Sequence, residues 1–163
     1  MSITEQKKSR VPCRLILAAV TAAAVFLGVS VLCCTAGSRK LCIGGRCFDP
    51  KVSDTPDVCR IAEALGAETD GESFLEEKIF IPESFNSVYE EYERLQQETG
   101  LSLEGYKGRE AVKYSAVIVS KDNNDEMILT ILVCDGQFIG GDVTSRDFYG
   151  KQLPLSALTS GDV

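Results

Sequence analysis

The sequence predicts an α+β protein: one N-terminal transmembrane helix, then a small domain of two helices packed on a three-stranded or slightly larger antiparallel sheet. Three observations predict it. Residues 15–34 form an unbroken apolar run, residues near 55–66 and 82–99 carry apolar positions at helical spacing, and residues 111–143 are β-rich segments separated by turn chemistry.

Residues 1–14 carry Lys7, Lys8, Arg10 and Arg14 against Glu5, a balance of +3. The following twenty residues, LILAAVTAAAVFLGVSVLCC, carry no charge and as a helix would rise about 30 Å, the thickness of the hydrocarbon core. Thr21 and Ser30 can bond back to the helix backbone, so every polar group in the run can be satisfied inside lipid. The basic residues before the run place the N-terminus in the cytoplasm and the C-terminal domain outside, although Arg39, Lys40 and Arg46 reduce the asymmetry. The rival reading is a signal peptide cleaved near Thr35, Ala36 and Gly37, which would release a secreted domain.

Residues 35–54 read as a juxtamembrane linker holding the hexapeptide Cys42-Ile43-Gly44-Gly45-Arg46-Cys47. With Gly44-Gly45 as a two-residue hairpin turn, Ile43 and Arg46 close it, and Cys42 faces Cys47 in a non-hydrogen-bonded pair close enough for a disulfide. A redox or metal site competes with this, but the four-residue spacer and the absence of histidine count against it. Cys59 and Cys134 read either as a second disulfide or as two buried thiols.

Within the domain, residues 55–155, Thr55 offers an N-cap with Pro56 behind it. Val58, Ile61, Ala62 and Leu65 form the buried stripe, and Gly66 stands where the helix should stop. Residues 67–77 read as a loop, with Phe74 as an alternative start of strand pairing, and 78–81 as a brief strand ended by Pro82. The next helix runs from Pro82–Ser84 to Thr99. Its core-facing row is Phe85, Val88, Tyr89, Tyr92 and Leu95, and Glu90, Glu91, Glu93, Arg94, Gln97 and Glu98 lie on the other side. Strands follow at 111–120, 127–134 and 137–143. Asp122–Asp125 forms the first turn and Asp135-Gly136 the second, a type I′ signal. The second helix is the expected cover of this meander. The tail, 156–163, reads as flexible.

The stretches IPESFNSVYEEYERLQQETGLSLEGYKG (Ile81–Gly108) and CDGQFIGGDVTS (Cys134–Ser145) carry a resemblance. Over about residues 56–155 the chain resembles a bacterial domain-of-unknown-function family, number 4830, of membrane-anchored Gram-positive, clostridia-like proteins. Members often place Gly-Trp after the first helix, where this chain has Gly66-Ala67. The resemblance implies fold and topology and assigns no activity.

Chemistry-bearing motifs are sparse. Without histidine no Ser-His-Asp or Cys-His arrangement exists, and no phosphate loop or dinucleotide fingerprint appears, so no catalytic, cofactor or metal residue is assigned. From Thr35 onward, 13 Lys and Arg stand against 23 Asp and Glu; this argues against nucleic-acid binding and is otherwise explained by solubility. The one site-like motif is Gly140-Gly141-Asp142. The paired glycines allow a bulge or a close backbone approach, and Asp142 projects a carboxylate there; the motif reads first as structural, second as a contact for a ligand or partner and last as catalytic. The expected partners are the lipid bilayer, through residues 15–34, and a protein or envelope ligand. The expected function is therefore a non-enzymatic extracytoplasmic interaction or sensing module. The alternative is an envelope-processing hydrolase working with carboxylates alone.

Overall fold

The computed structural model describes residues 39–69, 74–119, 125–146 and 151–160. The expected basic tail and membrane span (1–34) lie outside the described residues, as do 70–73 of the expected loop, 120–124 at the first turn and 161–163 of the tail. Among the described residues no helix is long and apolar enough to cross a membrane.

β1 (Leu41–Ile43) and β2 (Arg46–Phe48) pair antiparallel with Cys42 opposite Cys47 and Ile43 opposite Arg46. Both turn glycines have positive φ, +55° and +82°, a conformation that costs glycine little. Cys42 and Cys47 are disulfide-bonded with their Cα atoms 4.1 Å apart. This hairpin is no detached linker, because Ile43 and Phe48 lie inside the domain core. The segment behind it is also tied down: Phe138 N–H donates to Pro50 C=O at 2.8 Å and Val52 N–H to Gly136 C=O at 2.9 Å.

α1 (Thr55–Leu65) is capped by Asp54, one residue before the expected Thr55, with the Asp54 carboxylate accepting from Asp57 N–H. Gly66, at φ 98°, ends it and donates to Ala62 and Glu63 carbonyls. The predicted stripe, Val58, Ile61, Ala62 and Leu65, is buried. Each larger apolar side chain contributes about 1.5–3 kcal/mol by leaving water.

The main sheet has five antiparallel strands, two more than the minimum expected, in chain order β3-β4-β5-β6-β7. β3 (Leu75–Phe80) is longer than the expected brief strand and pairs along its whole length with β4 (Glu110–Val119). β5 (Glu126–Cys134) and β6 (Gln137–Ser145) join through the Asp135-Gly136 turn, both residues at positive φ. β7 (Gln152–Pro154) adds the edge next to β6. Within the expected tail, Ala157–Ser160 forms a short helix, α3, that follows the fully buried Leu155.

Strand alternation divides the core in two. On one face Leu129, Ile131 and Val143 meet α1, the hairpin and Leu155. On the other, Leu132, Cys134 and Ile139 meet Ile81, Leu103 and the half-buried Tyr92 of α2 (Ser87–Gln97). Cys134 belongs to this second core, whereas Cys59 lies on α1. The two are not joined in a disulfide; Cys134 is buried as expected of an apolar-like thiol, whereas Cys59 is only half-buried.

Candidate functional site

α2 begins at Asn86, whose side chain accepts from Tyr89 N–H at 3.0 Å. It packs over β6 and β7. Of the expected apolar row, Phe85 and Tyr92 pack against the second core and Tyr89 and Leu95 are half-buried, and the row is corrected at Val88 and at Glu93. Val88 is 70% exposed, whereas Glu93 and Gln96 are buried. Polar groups of β6 and of the loop after the helix lie beside the apolar contacts and call for polar partners on its buried side. Gln96 Oε1 accepts from Gly141 N–H at 2.9 Å. Glu93 takes Ser102 Oγ at 2.5 Å, Leu103 N–H at 2.7 Å and Gln97 Nε2 at 3.1 Å, pinning the loop that follows the helix. Buried polar groups need such partners, and a row of Val and Leu would leave these donors orphaned.

The bulge lies one residue before the predicted Gly140-Gly141 pair. Leu132 pairs with Gly140 and Val133 with Phe138, which leaves Ile139 as the inserted residue. The two glycines are required for close approach instead. A Cβ on Gly140 would stand 2.8 Å from Gln96 Oε1, and one on Gly141 would collide with the Thr130 carbonyl. Asp142, directly opposite Thr130, is 4% exposed. Its Oδ1 accepts from Tyr92 Oη at 2.8 Å and its Oδ2 from Thr144 Oγ1 at 2.7 Å. Burial, and secondarily the charge of Asp142, hold the Tyr92 phenol far above its ordinary pKa.

Asp142 forms part of the floor of an open pocket of about 480 Å³, within the usual range for small-ligand sites. Val88, Tyr89, Glu91 and Tyr92 of α2 make one wall. Ile79, Ile81 and Leu103 make an apolar side, and Lys113, Thr130, Leu132, Thr144 and Gln152 complete the sheet surface. Lys113 is ion-paired with Glu77, its neighbour across the β3–β4 ladder. The pocket exists because α2 covers only the β6–β7 side of this face. Beyond its mouth the same face continues through Leu75, Val117 and Val119, which are 69%, 47% and 53% exposed.

Gly140, Gly141 and Asp142 thus come together with α2, and only Asp142 reaches the pocket. The Cys42–Cys47 disulfide belongs to the hairpin on the opposite face. Tyr92, Glu93, Gln96 and Thr144 had no place in the predicted site. Thr144 could have been found, since it stands two positions after Asp142 and strand period puts both on one face. Among the described residues no group of three or more cysteine and carboxylate side chains is placed to hold a metal ion. Comparison with protein-family models, curated proteins and solved structures found no match.

Proposed function

We propose that this chain is a single-pass membrane protein of the bacterial envelope whose external α+β domain is a non-enzymatic binding or sensing module. The span is residues 15–34, the N-terminus is cytoplasmic, and the ligand or partner segment enters the pocket at Asp142. Placement within the domain family that the sequence resembles is part of the same proposal. The observation that carries it is the 480 Å³ pocket, whose floor carboxylate is held rigidly by two hydroxyls. Preorganised polar groups in a mostly apolar concavity suit recognition.

A carboxylate-based hydrolase needs two carboxyl groups converging on one bond in unlike environments. Glu91 and Asp142 both line the pocket, but each oxygen of Asp142 already accepts from a neighbouring hydroxyl. The disulfide supports an oxidising, external location.

Two measurements test the proposal. On intact cells, a membrane-impermeant thiol reagent should label Cys42 and Cys47 only after reduction, at full-length mass. Labelling only after lysis would place the domain inside. In an envelope-capture assay, Asp142→Asn should lose the bound partner while still unfolding cooperatively, at a stability cost of about 1–3 kcal/mol because one buried acceptor becomes a donor. Full capture by the variant would remove Asp142 from the binding surface.

A further inference from the structure

We propose that the pocket selects an organic ammonium: a protonated amine carried on a small aliphatic or aromatic body. The inference rests on the pocket being a binding site, as above, and adds the chemistry of what enters it. Asp142 is a buried carboxylate whose hydrogen-bonding partners are neutral hydroxyls, and no ion pair to it occurs among the described residues. A carboxylate can accept about four hydrogen bonds, so an ammonium arriving from the mouth finds unused lone pairs on a charge already stripped of most of its water. Such a pair is strengthened by the low local dielectric, and the carboxylate's desolvation is already met in the folded state.

The surrounding groups agree on sign. Glu91 adds a second carboxylate at the helix wall. The single cation of the pocket, Lys113, is matched by Glu77, so the local balance stays negative and an anionic ligand would find no free counter-charge. Tyr89 and Tyr92 line the same pocket and offer aromatic surface, which attracts cations when their faces are reachable. Leu132 and Ile79 give the amine's apolar body a place to lie.

Three probes with one body separate charge from shape: 2-phenylethylamine, 2-phenylethanol and phenylacetate. They would be titrated into the full chain in lipid nanodiscs, with binding read from the methyl NMR signals of Ile79, Val88 and Leu132. The amine should saturate with a Kd at least tenfold below that of the alcohol, and phenylacetate should give no saturable shift. Asp142→Asn should bring the amine to the level of the alcohol. Glu91→Gln, an exposed substitution, should weaken the amine about two- to threefold and supplies the answer should the asparagine variant fail to fold. Equal binding of amine and alcohol, or preferential binding of phenylacetate, would overturn the ammonium assignment while leaving the pocket a binding site. Absence of saturable shifts from all three would also overturn it, and the binding module would then stand or fall on the envelope-capture result alone.

Discussion

Gly141 and Tyr92 carry the most consequence at the scale of single residues. Alanine at Gly141 must displace the Thr130 carbonyl, and its Cβ would also crowd the Leu155 side chain 3.1 Å away. A loss of about 1–3 kcal/mol in urea unfolding is expected, and an unchanged midpoint would show that the strand can shift at no cost. Tyr92→Phe deletes the donor to Asp142 Oδ1 and should cost about 1–3 kcal/mol at neutral pH, because the carboxylate stays buried with one partner fewer. The same residue sets a pH limit. Its folded pKa is raised above the unfolded value near 10, so its contribution is fully present below pH 10 and is lost as the pH rises beyond it. Unfolding midpoints followed from pH 8 to 11 should therefore fall more steeply in the wild type than in Tyr92→Phe; parallel curves would show that Tyr92 does not titrate with unfolding.

Among the elements, the hairpin and α2 show how local rules and tertiary demands combine. Closing the short loop between Cys42 and Cys47 contributes about 2 kcal/mol by restricting the unfolded chain. Since the hairpin delivers Ile43 and Phe48 to the core, reduction should lower the urea midpoint of the whole domain by about that amount. A midpoint indifferent to reductant would show that the hairpin's packing suffices without the bond. α2 keeps helical periodicity while its buried side is chosen by the sheet. Val88→Ser, at an exposed position, should change stability by less than about 0.5 kcal/mol, whereas Glu93→Ala leaves Leu103 N–H without its acceptor and should cost about 1–3 kcal/mol. The reverse ranking in thermal unfolding would restore the apolar row as the buried face.

The domain as a whole depends on closure by its C-terminal end. Leu155 is fully buried in the larger core beside α1 and the hairpin, and β7 supplies the last strand of the sheet. Leu155→Ala should cost about 2–5 kcal/mol. Removal of residues 151–163 should abolish cooperative unfolding followed by circular dichroism, and a sharp transition in the truncated chain would show that the four preceding strands close the core unaided.

Local chemistry made much of this architecture readable without coordinates. The Gly44-Gly45 turn, with Cys42 and Cys47 in register, follows from two-residue hairpin geometry. Gly66 ends α1 because a left-handed cap suits glycine, and Asp135-Gly136 turns the β5–β6 hairpin for the same conformational reason. Each depends on residues a few positions apart. Tertiary structure alone decided what depends on distant partners: that Glu93 and Gln96 are buried while Val88 is exposed, that Leu155 and β7 complete the core, and which of the two sequence readings of Gly140-Gly141, bulge or close approach, applies. The pocket belongs to this second group. Tyr92 and Asp142 are fifty residues apart, and helical periodicity alone could assign Tyr92 only to an apolar row. A hydroxyl's partner is fixed by which strand the helix crosses, and that crossing is set by the packing of the entire sheet.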